Sequence, residues 1–220
     1  MSNRARRWPH SWEPEPRWPA LVAVVSVGGI YAALPRYLIL GPRWLFPGVV
    51  FGLLVPAVVT HVHGHQFLNR FFGFTVNGAV TACLIASVAL LIEELPAHRE
   101  SPTRLLLSAA SLWFSNVLVF ALWYWRLDAG GPHGRDSRPD HLEGAFLFPQ
   151  MTLQSQPDED DERWSPNFVD YLFLAFNTST AFSPTDAPVL QRWAKMLMML
   201  QSLISLTVLA LLAARAVNIL

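Results

Sequence analysis

The stretch Phe168-Val169-Asp170-Tyr171-Leu172-Phe173-Leu174-Ala175-Phe176-Asn177-Thr178-Ser179-Thr180-Ala181-Phe182-Ser183-Pro184-Thr185-Asp186 decides how this chain is read. Its apolar part, Tyr171 to Phe176, is too short to cross a hydrocarbon core of about 30 Å, which takes roughly 20 helical residues. Ser165-Pro166 ahead of it suits a helix start, with serine as cap and proline in the first turn. Asn167 with Asp170 offers a second cap two residues later. The run then breaks into the ten positions Asn177 to Asp186, which hold five hydroxyl residues and one amide. Non-helical backbone at membrane depth persists only where protein or water covers it. The pattern predicts a helix of three to four turns ending near Thr178, then an extended segment, together a re-entrant loop.

Outward from that stretch the chain is apolar. Of its 220 residues 52% are hydrophobic and only 15% are charged, where a soluble domain carries roughly 25% charged residues. Charge-free runs extend from Trp18 to Pro35, Trp44 past Thr60, Phe71 to Ile92, Leu105 to Trp125, and Met196 to Ala214. Each is near the length of a membrane-spanning helix, and none alternates as a barrel strand does. The expected fold is therefore all-α: a polytopic membrane protein of five transmembrane helices plus the C-terminal re-entrant half-helix. The first run comes after Arg4, Arg6 and Arg7 but lacks a small-residue cleavage site, so it reads as a retained span rather than a signal peptide. Cys83 is the only cysteine, which excludes a disulfide scaffold. The 16 basic and 16 acidic residues cancel, leaving no basic field for nucleic acid.

These runs divide the chain into segments. Residues 1–17 form a polar leader with Trp8 and Trp12, and Trp18 opens the first span at an interface. Residues 18–95 hold the first three spans, and 96–127 the fourth, which leaves the bilayer through the aromatic belt Trp123-Tyr124-Trp125-Arg126. Gly48 and Gly52 form a GxxxG pair that admits close approach of another helix. Residues 128–164 are a solvated loop ending in Asp158-Glu159-Asp160-Asp161-Glu162, with Phe146, Leu147 and Phe148 expected to touch the membrane surface. Residues 165–220 carry the half-helix, the polar stretch and the last span.

From Phe168 to Leu220 the chain resembles the pore module of the potassium-channel superfamily, of the bacterial two-helix type. Tyr171 to Phe176 matches the pore helix, Thr178 and Thr180 the entry to the filter, and Asp186 the aspartate that closes it. Span four then corresponds to the outer helix. The same tail also resembles a bacterial inner-membrane family of unknown function. The resemblance implies a cation path through a homotetramer, with Thr178, Ser179, Thr180, Ser183, Thr185 and Asp186 along it. The filter is degenerate, because no glycine lies between Thr180 and Asp186 and Pro184 restricts the backbone on both sides. Successive inward carbonyls are disfavoured, so hydroxyl groups and Asp186 would coordinate a small monovalent cation with weak selectivity.

Other residues carry alternatives. Gln201 and Ser205, at i and i+4, share a helix face that either lines a pore or bonds across helices. His61, His63 and His65 have spacing that can hold zinc or copper, or they are interfacial residues at the wet end of a span. Asn77 and Asn116 read as packing hydrogen bonds. Arginines near span ends place the loop on the cytoplasmic side, whereas the channel resemblance turns it outward. Either the first run does not cross, or the half-helix segment crosses fully and makes six spans. No nucleophile elbow, zinc-protease motif or phosphate loop is present, so no enzyme and no cofactor is expected. The 15 arginines against one lysine suggest a GC-rich bacterial gene, and hence a cell inner membrane. The expected function is a channel-like membrane protein; the alternative is a non-conducting scaffold or accessory subunit with the same fold.

Overall fold

The computed structural model describes residues 15–63, 65–94, 101–136, 144–153, 164–180 and 187–217. The leader, the acidic run 158–162 and the stretch 181–186, with Ser183, Thr185 and Asp186, lie outside the described residues, as does the side chain of His61. Every apolar run forms a helix. These are α1 (Trp18–Ala33), α2 (Leu45–Val62), α3 (Gln66–Glu94), α4 (Pro102–Leu127) and, last in the chain, α8 (Arg192–Val217); between α4 and α8 lie the short α5 (Pro132–Asp136), α6 (Pro149–Leu153) and α7 (Phe168–Thr180). Among the described residues there is no strand, only an isolated antiparallel bridge between Phe146 and Val189. Three helices, α3, α4 and α8, are long and apolar enough to cross a membrane; α1 and α2 are shorter apolar helices.

Helix α4 is the hub. It packs against α1, α3, α7 and α8, and every residue from Val117 to Leu122 is buried, four of them completely. A helix apolar all round finds stability only when covered all round. The other long helices present large side chains outward, including Phe51, Phe67, Met196 and Leu206, and so does the first part of α4 at Leu107, all more than 60% exposed. Apolar area on that scale is what a lipid-facing surface offers. Gly48 and Gly52 lie on that outside: a methyl group at either would meet nothing within 4 Å. The expected close helix approach there is not made within the chain.

The directions of the helices fix which end is which. Gly73 of α3 lies against Arg126 of α4, and Trp123 donates to the Thr81 hydroxyl at 2.8 Å, so α3 and α4 are antiparallel. Arg17, just before α1, pairs with Asp136 just beyond α4. The beginning of α1, the end of α4 and the beginning of α3 therefore share one end of the bundle. At the opposite end Ser87 donates to Leu38 O at 2.8 Å, and Tyr37 lies within reach of Ser108.

Because α4 is enclosed, its interior positions cannot relax into lipid. Leu122→Ala should destabilise the protein by about 2–5 kcal/mol, while Leu107→Ala on the outer face stays within about 0.5 kcal/mol. Thermal unfolding of the two variants in the same detergent measures the difference; equal losses would contradict the enclosure.

Candidate functional site

Helix α7 starts with a reciprocal cap. Asn167 Oδ1 accepts from Val169 N at 2.8 Å, and Asp170 Oδ2 accepts from Asn167 N at 2.8 Å. Of the two caps the sequence offers, the second is used, since Ser165 and Pro166 precede the helix. The helix has 13 residues, about 20 Å. Its described part runs to Thr180, between three and four turns; the expected end near Thr178 and the extended segment after it involve 181–186, which lie outside the described residues.

Both α7 and α8 begin at the same end of α4. Phe168 packs edge-on against Trp125 near the end of α4, and Tyr171 donates to Asp128 Oδ2 at 2.6 Å. Deeper in, Phe176 meets Trp113 and Ser179 meets Asn116. Asn116 lies twelve positions from Asp128, about 18 Å along the axis of α4. The chain is back at the starting end by 188, where Leu147 N donates to Pro188 O at 2.9 Å and Leu190 N to Ala145 O at 2.8 Å. Seven residues, 181–187, separate Thr180 from Pro188, and a chain of that length can reach about 25 Å, enough to cover the roughly 18 Å back. Helix α8 then runs alongside α7 in the same direction.

The deep end of α7 is held by a polar cluster. Gln201 Nε2 donates to Ala175 O and to Ser179 Oγ, both at 2.7 Å, and its Oε1 accepts from Tyr124 Oη at 2.5 Å. Ser205 Oγ donates to Ser179 O and accepts from Trp113 Nε1 at 3.0 Å. Asn116 Nδ2 donates to Gln201 O at 3.2 Å. Gln201 is 0% and Ser205 2% exposed. The two share a face, and within the chain that face is turned towards α7 and α4, where it makes the bonds across helices that the sequence offered as one alternative. Thr178, whose hydroxyl donates to Leu174 O, and Ser179 are buried as well. Thr180, half-buried, donates to Asn177 O at 3.0 Å.

The other end of α7 is closed by groups that sequence reasoning missed. Asp128 is fully buried, taking hydrogen bonds from Tyr171 and from the backbone N–H of Ala145. Arg135 donates to Trp125 O and Asp128 O, stacks over the Tyr171 ring at 5.0 Å, and pairs with Glu15 at 2.7 Å. Trp125 Nε1 donates to the other Glu15 oxygen. The turn between them needs glycine: Gly131 has φ +85°, and a Cβ there would lie 2.7 Å from Arg126 O. Phe146 and Phe148, expected at the membrane surface, are buried instead. Phe146 packs on Tyr124, Tyr171 and Trp193, and Phe148 on Tyr171 and Trp164. Three aromatic or aliphatic residues in an otherwise polar loop were the signal, and it pointed to a core rather than to lipid.

Of the three histidines only His63 and His65 have described side chains, and among the described residues no group of three or more metal-binding side chains occurs. His63 and His65 are exposed, and His63 Nδ1 lies 2.8 Å from Val59 O, which leaves Nε2 for any ligand. No family model, curated protein or solved structure matches this chain.

Two outcomes test the site. Gln201→Leu strands Tyr124 Oη and removes the donor to Ser179 Oγ and Ala175 O at the same time, so it should cost about 2–3 kcal/mol in thermal unfolding. Tyr124→Phe, which removes one bond, should cost about 1 kcal/mol. Similar small losses in both would break the network argument. At the other end, burial raises the Glu15 carboxyl above the usual range, against the opposing pull of Arg135. A carboxyl raised in the folded state holds its proton longer than in the unfolded chain. Its contribution is therefore largest below the ordinary carboxylic pKa and declines as pH rises towards the raised value. The melting-temperature difference between wild type and Glu15→Gln should fall across that window and then level off. A difference that grows with pH would show that the ion pair outweighs burial.

Proposed function

We propose that this chain is a channel-like protein of five spans, α1 to α4 and α8, with α7 as a re-entrant half-helix, working as a homotetramer in a bacterial inner membrane. The reading is supported by the contacts of α7, which begins beside Asp128 at the end of α4 and reaches Asn116 at Ser179, while residues 188–190 lie beside 145–147 at the end where α7 began. A helix that stops inside a bilayer directs its last carbonyls, the negative end of its dipole, at the segment beyond it. Here that segment is 181–186, so a small monovalent cation would meet Thr180, Ser183, Thr185 and Asp186 there. Selectivity is weak, because no glycine lets consecutive carbonyls turn inward. Assembly is supported by the outer stripe of α8. Met196, Met199, Leu203, Leu206, Ala210 and Ala213 are exposed at alternating spacings of three and four, and the last two are small enough for helices to cross closely.

A second reading has its own support. The hydroxyls of Thr178, Ser179 and Ser205 and the amide of Gln201 are spent inside the chain, which suits a non-conducting scaffold or accessory subunit that keeps the same architecture. Purified protein in a planar bilayer with mixed potassium and sodium separates the two. Conduction should give a permeability ratio within roughly tenfold, about 1.4 kcal/mol, and Asp186→Asn should lower the current by removing a fixed negative charge. No current, with a monomeric mass in native membrane extracts, would leave the scaffold reading.

A further inference from the structure

Arg126 stands apart from the other charges at the loop end of the bundle. Arg135 is paired with Glu15, and Arg17 with Asp136. Arg126 meets no carboxylate among the described residues, and its Nε is buried without a partner. Its guanidinium lies across Gly73 of α3, where a Cβ would come within 1.7 Å of Nη1. Only glycine leaves that space. The guanidinium also lies 5.7 Å from the Trp125 ring and 6.0 Å from Phe74, while Arg70 lies 5.6 Å from the same Phe74. Two cations thus share one ring at the groove between α3 and α4, and Arg17 adds its field to Arg126.

Depth identifies the ligand that can reach them. Helix α3 has 29 residues, about 43 Å, so centred on a 30 Å core it overhangs by about 7 Å at each end. Arg70 is four residues in, about 6 Å, at the level of the headgroups. Phe67 and Phe71 beside it are 81% and 57% exposed, as lipid-facing side chains are. Guanidinium groups hold phosphate oxygens through paired N–H donors, and basic grooves between membrane helices take acidic headgroups. A zwitterionic lipid would bring an ammonium group beside three guanidinium groups, which disfavours it.

We propose that the groove formed by Arg70, Gly73, Phe74 and Arg126 binds the phosphate of an anionic phospholipid. The proposal rests on the membrane reading above but not on conduction. Its test is native mass spectrometry of the full-length protein exchanged into equal amounts of phosphatidylglycerol and phosphatidylcholine. Wild type should retain the anionic lipid at least roughly tenfold over the neutral one. Arg70→Gln with Arg126→Gln should bring the ratio close to parity, and Arg36→Gln at the opposite end should leave it unchanged. Gly73→Ala keeps every charge but drives the Arg126 guanidinium out of its bed, so it too should lower the ratio; a purely electrostatic attraction would not respond. Should the double variant fail to fold, Arg70→Gln alone, at an exposed side chain, keeps the comparison. Retention of both lipids without preference in wild type overturns the proposal, as does displacement of the anionic lipid by low-millimolar inorganic phosphate, which would assign a soluble anion. Retention of no lipid at all would overturn the membrane reading instead.

Discussion

A helix that ends inside an apolar bundle leaves its last carbonyls without intrahelical partners, and each such group costs several kcal/mol in hydrocarbon. In this chain that requirement falls on the last described turn of α7, where Ser202 and Ser205 of α8 donate to Thr178 O and Ser179 O. Gln201 adds a second bond to Ala175 O one turn earlier. Two i, i+4 pairs, 175 with 179 and 201 with 205, lie side by side on helices running in the same direction. Their bonds set the register of α8 against α7. Tyr124, through the side-chain amide, and Asn116, through the backbone carbonyl, then fix α4 to the same Gln201. A shift of α8 by one residue would bury Ser202 at the contact, turn Gln201 towards lipid, and break every one of these bonds.

The shallow end is organised by charge rather than by amides. Burying Asp128, Arg135 and Glu15 together is costly, and the ion pair roughly offsets its own desolvation. What such a cluster supplies is geometry. Arg135 gathers the carbonyls at the end of α4, Glu15 brings in the segment before α1, and Asp128 orients Tyr171 at the start of α7. Ala129 and Gly131, both at positive φ, make the turn tight enough for Arg135 to reach back. Helix α7 is thus held by polar contacts near both ends of its described length.

Much of this was legible in the sequence, and the misses share a cause. Charge-free runs marked α1 to α4 and α8 within a few residues, because continuous apolar length is a local property. The short helix and its Asn167–Asp170 cap were readable for the same reason. Gln201 and Ser205 were seen to share a face, yet α8 is apolar on every other side, so nothing in its pattern told an inward face from an outward one. The burial of Phe146 and Phe148 and the Glu15–Arg135 pair depend on contacts between distant parts of the chain; Glu15 and Arg135 are 120 residues apart. No periodicity encodes such a pairing. The clue that existed was compositional: an aromatic cluster and a Gly130-Gly131-Pro132 turn inside a loop otherwise suited to solvent.

The partition of polar and apolar side chains also limits where any path for ions can run. Inside one chain the space between α4, α7 and α8 is filled by Gln201, Ser205, Asn116 and Tyr124, all buried and bonded to one another or to backbone. The outer stripe of α8 is apolar from Met196 to Ala213, so in a tetramer it would give a dry wall and no cation sites. Among the described residues a further polar group at that level is the half-buried Thr180 at the end of α7. In a conducting assembly of the kind proposed, a polar constriction would then stand beside a long apolar passage. In that arrangement wetting of the passage, more than coordination at the constriction, would decide whether current flows.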